Sequence, residues 1–478
     1  MMWRRRKNRV TLASFLCCAF VILFLFANLL ILHGSFRNLY DSTLSRRAIA
    51  RRIDSATDET DTVQLPAYVL SPEVRKRHVT GTGKRVVNGG FDDVVVSLTT
   101  TDLRRILSQT SECERMQNMS SVTFIARGWN KAVYRTTLDG SDVAVKMVDL
   151  GSELMGRCLQ EQGLGQKRCY DRASMYLFKE LLFLRALRHP HVVKVLGSCV
   201  TSSAYDGRPD TLVKVATELG ETIDLIRLLQ MSWEDRLRVC YGLTKLITYL
   251  AHAPHGSVAL NDFRKQQFVL VSGELKLTDA DDIGFDEPHC KVSDDCVLEY
   301  SSPNVTLRSV CRRGHCVGLN EKKNTYNAAR HFMQLLLPHG APATLRPLVD
   351  NLIDDFNGVT MTTKELLKSV NNIVELYRSG AYVKRASRQP PVYRELRGSD
   401  LPGQWDYHCR YTVASSGCTV SVFDRREAED MCDAEPDCRA FVLSSDRTWT
   451  GRIIAYLKNN VSEPTANART HLYIKPNI

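Results

Sequence analysis

Hydrophobic and polar positions change period several times along the chain, and each change predicts a different element. Val10 to Leu32 holds no charged residue over 23 positions. At about 1.5 Å per residue, a helix of that length crosses a bilayer. Residues 33–115 are mostly polar and charged, with only a short strand and helix signal near their end, and predict a stem. Over residues 116–385 the pattern runs strands first and helices afterwards. Phe124 to Tyr134 and Asp142 to Lys146 alternate as two strands joined by a turn. Leu177, Leu181, Leu184 and Leu187 make a helical stripe that ends at His189-Pro190. Thr211 to Gly220 alternates as a strand and closes in a turn. Ser232-Trp-Glu-Asp opens, as a capping box, a helix running to about His252. Val258 to Asp281 then reads as a short strand, a polar loop, a second strand and an Asp. Residues 386–402 are rich in turn residues and predict a linker, and residues 403–478 carry further strand signals.

Charge and cysteines add a compartment. The net charge is +11, but +9 of it falls within residues 1–52, so the rest of the chain offers no basic surface for nucleic acid. Arg4, Arg5, Arg6, Lys7 and Arg9 precede the apolar segment. By the positive-inside rule residues 1–9 stay cytosolic and everything beyond 10–32 is luminal, a type II signal anchor. A cleaved signal peptide is the rival, with an apolar core of usually about 7–15 residues; release at Arg46-Arg47 or Arg51-Arg52 is a further route. Thirteen of the fifteen cysteines lie beyond that segment, and most cluster: Cys158 with Cys169; Cys290, Cys296, Cys311 and Cys316; Cys409, Cys418, Cys432 and Cys438. In an oxidising lumen these are disulfide candidates of undetermined connectivity. Zinc is the competing use, disfavoured because no C-x-x-C pair occurs. Asn118, Asn304 and Asn460 head glycosylation sequons.

Asp262 and Asp279 stand 17 residues apart across the second strand pair, and Lys146 ends an alternating strand. With Glu180 beside the helical stripe, this order resembles a protein kinase, and implies an α+β bilobal fold with a β-rich first lobe and a helical second one. The resemblance implies that Lys146, held by Glu180, contacts the α/β-phosphates of ATP. It implies that Gly128 lies in the phosphate loop, that Val133 and Ala144 line the adenine pocket, and that the strand end at Glu218 is the interlobe hinge. Asp262 would orient the substrate hydroxyl, with Arg264 near the phosphate; Asp279 and Gln267 would hold Mg or Mn. The pattern departs from the family in places. Ala126 and Lys131 occupy two phosphate-loop glycine positions, Leu260-Asn261 replaces His-Arg, and Gln267 replaces Asn. Asp279-Ala-Asp281 replaces Asp-Phe-Gly, and Asp281 and Asp282 are further candidate metal carboxylates.

Gly318-Leu-Asn-Glu-Lys-Lys-Asn-Thr-Tyr-Asn327, Gln267-Phe-Val-Leu-Val271, Leu336-Leu-Pro-His339 and Thr448-Trp-Thr-Gly-Arg452 narrow the match. With them the chain resembles the vertebrate lonesome kinase family over about residues 120–475. The resemblance implies a Golgi-resident and secreted enzyme that phosphorylates tyrosine on secreted, extracellular-matrix and luminal proteins. The alternative is a secreted pseudokinase or adhesion-type interaction protein, which the weakened phosphate loop would suit. The four-cysteine tail is faintly like an apple-type disulfide module, or a cap packed on the kinase.

Overall fold

The computed structural model describes residues 110–476, apart from 118, 162–164, 201–212, 255, 302–303, 384–391, 402, 408 and 410–416. The apolar segment 10–32, the stem as far as residue 109, the Asn118 sequon and residues 386–391 and 402 of the expected linker lie outside the described residues, while residues 394–400 of that linker form a strand of the tail sheet because their backbone pairs with residues 465–474. Among the described residues, no helix is long and apolar enough to cross a membrane.

The first lobe contains α1 (Thr110–Gln117), β1 (Ser120–Arg127), β2 (Lys131–Leu138), β3 (Ser141–Val148), α2 (Glu153–Glu161), α3 (Gln166–Ala186), β4 (Val195–Val200) and β5 (Val213–Glu218). Its strands form one antiparallel sheet in the order β1-β2-β3-β5-β4. Asp139 and Gly140 both take left-handed φ (50° and 76°), which a two-residue hairpin between β2 and β3 requires. Alternation along the strands gives the sheet two apolar faces. Val143, Val145 and Ala216 pack with Met116 of α1, whereas Val148, Val213 and Val215 pack under Leu177 and Leu181 of α3. Residues 110–115, read from the sequence as the end of the stem, form most of α1. A Cys113–Cys199 disulfide and a 2.9 Å bond from the Ser198 N–H to Glu112 tie it to β4. That pair spans 86 residues, so nothing in the spacing signals it.

The second lobe follows with β6 (Glu221–Thr222), α4 (Leu225–Gln230), α5 (Trp233–Ala251), β7 (Val258–Leu260), β8 (Phe268–Val271), β9 (Glu274–Leu277) and β10 (Ile283–Phe285). Two hairpins come next, β11 (Val297–Ser301) with β12 (Asn304–Arg308) and β13 (Val310–Arg312) with β14 (His315–Val317), and two disulfides tie the second hairpin to the segment before β11. Helices α6 (Leu319–Ala328), α7 (Arg346–Gly358) and α8 (Thr363–Ser379) complete it. One core joins Leu243, Leu246, Ile247 and Leu250 of α5 to Phe268, Phe332 and Phe356. Ser232 caps α5, accepting from Asp235 N at 3.1 Å. The expected box is half formed, since the Asp235 carboxylate accepts from the Ser232 hydroxyl (2.7 Å) rather than from the Ser232 backbone N–H. The lobes meet at Gly220, where a Cβ would lie 2.6 Å from Val269 Cγ2, too close for any side chain.

The tail is a second antiparallel sheet, β15 (Arg394–Asp400), β16 (Cys418–Val422), β17 (Ala440–Arg447), β18 (Ile453–Lys458) and β19 (Thr465–Ile474), covered by α9 (Arg425–Ala434). It packs on the helical lobe through Arg452, whose buried guanidinium donates to Tyr377 O (2.8 Å), Ser421 O (3.1 Å) and the Glu427 carboxylate (2.7 Å). The clustered cysteines pair as Cys158–Cys169, Cys290–Cys311, Cys296–Cys316, Cys409–Cys418 and Cys432–Cys438. Thiolate zinc ligation by these clusters is therefore not what the fold uses.

Candidate active site

The β2–β3 register sets Val133 opposite Lys146 and Lys131 opposite Val148. Directly paired residues share a face, so both lysines project from the same side of the sheet as Val133 and Ala144. Helix α3 brings Glu180, fully buried, to that face. Lys146 Nζ pairs with Glu180 Oε1 and donates to the Thr278 carbonyl. Lys131 Nζ pairs with Glu180 Oε2 and lies 2.7 Å from Asp279 Oδ1 and 3.3 Å from Asp281 Oδ2. One buried carboxylate thus serves two ammonium groups.

The opposite wall comes from the helical lobe. Asp262, half-buried, accepts through Oδ2 from Arg264 and from Gln267 Nε2, the latter at 2.7 Å. A carboxylate only accepts, so Gln267 must turn its NH₂ to Asp262 and its Oε1 away. The Gln267 backbone carbonyl accepts from Thr278 N (2.8 Å) and Asp279 N (3.3 Å), which locks the loop carrying Asp262 to the segment carrying Asp279. Asp262, Gln267, Asp279, Asp281 and Asp282 line a small pocket floored by Leu260, Leu277 and Ile283. Lys146, Glu180, Asp262, Asp279 and Gln267 are therefore brought into one cleft.

Electrostatics follow from burial and charge. Burial alone would pull the Lys131 ammonium down, but Asp279, Glu180 and Asp281 together hold it well above the ordinary lysine value. Burial pushes Asp279 up, yet Lys131 and Lys146 outweigh it and leave Asp279 below the usual carboxylate range. Burial raises Asp281, and the neighbouring charge of Asp279 adds to the rise despite Lys131.

Two expected positions differ in detail. Gly128 donates to Lys131 O at 2.8 Å as a turn residue, and a Cβ there would meet nothing closer than 3.6 Å, so no steric need for glycine exists in this conformation. At the hinge, Glu218 N–H donates to Lys194 O (3.1 Å) and its carboxylate is held by Lys276 (2.8 Å). Its side chain braces the two lobes.

No protein-family model matches the chain. Human extracellular tyrosine-protein kinase PKDCC is 41% identical over 365 residues, covering 76% of this chain and 73% of that protein. The chain belongs to the PKDCC family. Two Arabidopsis thaliana proteins are more distantly similar. Serine/threonine-protein kinase PBS1 is 25% identical over 49% of this chain and 50% of its own length. Receptor-like serine/threonine-protein kinase ALE2 is 22% identical over 42% of this chain and 24% of its own length. Membership of the PKDCC family makes the chain a protein kinase.

Several supporting residues of this PKDCC-family chain were not assigned from the sequence. Lys131 is, in the sequence, only a missing glycine, although alternation from Val133 puts it on the face that carries Lys146. Asn320, Lys323 and Asn324 served as family markers without roles. Asn324 accepts from Leu260 N (3.0 Å) and donates to Val258 O (2.7 Å), while Lys323 reaches Asn261 Oδ1 (2.5 Å). Asn320 donates to Asp286 O (2.8 Å), and its N–H and that of Gly318 both donate to Glu287. Helix α6 thereby braces the loop before Asp262, where Leu260-Asn261 replaces His-Arg.

Proposed function

We propose that this chain is a secretory-pathway kinase that transfers the γ-phosphate of ATP to tyrosine hydroxyls of secreted, extracellular-matrix and luminal proteins. The observation that carries the reading is the assembly of Lys146, Glu180, Asp262 and Asp279 in one cleft, from three separate stretches of chain. The tyrosine preference and the extracellular setting extend what the name of human PKDCC says of that protein.

Lys146, oriented by Glu180, binds the α/β-phosphates. Val133 and Ala144 line the adenine pocket, and the Glu218 carbonyl edges it. Asp262 aligns the tyrosine hydroxyl and accepts its proton as the bond to phosphorus forms. Arg264, released from Asp262 when substrate enters, stabilises charge on the transferred group. Asp279, Asp281 and Gln267 offer hard oxygen donors, and oxygens of Glu180, Asp279 and Asp281 lie within 4.8 Å of one another, which suits Mg or Mn. Such an ion, when bound, neutralises the phosphate oxygens and the leaving group. The apolar 10–32 segment is the proposed type II Golgi anchor, with secretion after cleavage. Exposed Asn304 and Asn460 are the proposed glycan sites.

The test is phosphate transfer by the purified chain to a mixture of extracellular proteins, with Mg²⁺ or Mn²⁺ and phosphotyrosine read by mass spectrometry. Asp262→Ala and Lys146→Ala should each abolish it. Absence of transfer from a folded, disulfide-bonded chain would favour the binding-only reading. The observation on that side is the Lys131 ammonium already lying among the carboxylates.

A further inference from the structure

A kinase cleft needs one lysine on its helix glutamate, and this one has two. Lys131 opens strand β2, and its side chain is almost wholly buried. Its ammonium contacts Glu180, Asp279 and Asp281 at once. Those carboxylates have the mutual spacing of a single-cation site. Three acidic groups so close together repel strongly unless a positive charge stands among them. Lys146 bears on Asp279 through space, but its ammonium is bonded to the other oxygen of Glu180 and to the Thr278 carbonyl, so Lys131 is the cation in contact with all three carboxylates. The backbone around Lys131 is anchored elsewhere. The Trp129 ring meets Tyr176 of α3 at 5.6 Å, and Trp129 O accepts from Leu154 N of α2 at 3.1 Å. The flexible four-carbon stem can therefore swing its ammonium away while the loop stays in place.

We propose that Lys131 is a built-in counter-ion of the cation pocket. Its ammonium holds the Glu180–Asp279–Asp281 cluster together in the nucleotide-free protein, yields that position to a divalent ion arriving with ATP, and then pairs with the nucleotide's phosphates. The proposal rests on the nucleotide-site reading above. It makes metal entry and nucleotide entry mutually dependent: an ion alone must displace an ammonium that has no new partner, whereas an ion with ATP brings that partner with it.

The test measures Mn²⁺ binding to the full chain by electron paramagnetic resonance, with and without ATP. Lys131→Met should bind Mn²⁺ alone at least about tenfold more tightly than the unaltered chain, and Mn–ATP about tenfold more weakly. A merely structural lysine would weaken both. Unchanged or weaker binding of Mn²⁺ alone by a folded Lys131→Met chain overturns the proposal. Because that variant leaves carboxylates uncompensated and can fail to fold, a second measurement uses the unaltered chain. Acylation by acetic anhydride, read by mass spectrometry, should find Lys131 protected without ligand, several-fold more reactive with Mn²⁺ alone at saturation, and protected again on adding ATP. Equal reactivity with and without Mn²⁺ overturns the counter-ion role. Exposure of Lys131 by Mn²⁺ in a chain that never binds Mn–ATP would instead overturn the nucleotide reading while leaving the cation pocket standing.

Discussion

Glu180→Gln is the perturbation whose cost can be worked most directly from the geometry. Glu180 is 0% exposed and neutralises two ammonium groups, one on each oxygen. After the substitution Lys131 still has Asp279 and Asp281, but Lys146, with a side chain 3% exposed, loses its contacting carboxylate and is left with neutral oxygens, the Thr278 carbonyl and the new amide. The loss therefore falls mainly on Lys146. Two unit charges 4 Å apart attract by about 4 kcal/mol at an effective dielectric constant of about 20. Breaking one side of a buried pair typically costs about 3–5 kcal/mol, because the survivor is left buried and unpaired. We expect about 3–5 kcal/mol of lost stability, read as a lower urea midpoint with an unchanged slope and disulfides intact. The double variant Glu180→Gln/Lys146→Met removes the orphaned charge too. It should recover at least about 2 kcal/mol relative to the sum of the two single changes. A Glu180→Gln chain within about 1 kcal/mol of the unaltered one, a shift ordinary surface substitutions approach, would refute the assignment of Glu180 as the shared buried counter-charge.

Arg452→Met should cost about 3–5 kcal/mol of stability, read as a lower urea midpoint, and make the tail melt separately in calorimetry, because Glu427 loses a buried partner; a single unshifted transition would contradict the docking role. Joint Cys296→Ser and Cys316→Ser changes open a bridge between residues 20 apart in sequence and should cost roughly 3 kcal/mol on the chain-entropy model. The activity of that variant will show whether the pinned hairpins matter to transfer. His189 is held at about 4 rather than 6.5, first by burial and then by the charges of His191 and Lys245. The unfolded chain thus binds a proton that the folded one refuses, so this contribution is complete above pH 6.5 and lost as pH falls toward 4. Melting temperature should fall across that window, and His189→Gln should flatten the fall; an unchanged slope would remove His189 as its cause.

Local signals were enough to recognise the family. Alternation ending in Lys146, the stripe beside Glu180, and the two strands bracketing Asp262 and Asp279 are short-range patterns, each within about twenty residues, and their order along the chain is that of a kinase. Proximity also suggested Cys158 with Cys169, which pair across 11 residues. Long-range contacts were not legible in the same way. Cys113 and Cys199 meet because α1 covers the outer face of the sheet, and periodicity in α1 does not say which surface it will find. The four-cysteine clusters left their pairing open because closely spaced cysteines can be joined in several ways, and only the folded backbone path selects among them. Lys131 shows the limit most clearly. By itself it is a departure from a glycine pattern, and it becomes part of the site only when Asp279, 148 residues further on, is folded to within 2.7 Å of its ammonium. Most elements and the kind of chemistry were legible along the chain, because both depend on near neighbours; the docking of the helix at residues 110–117 and the strand at 394–400 were not, because each forms against a distant partner. Which charges share one buried pocket was decided by the tertiary structure alone, because that depends on how the two lobes close on each other.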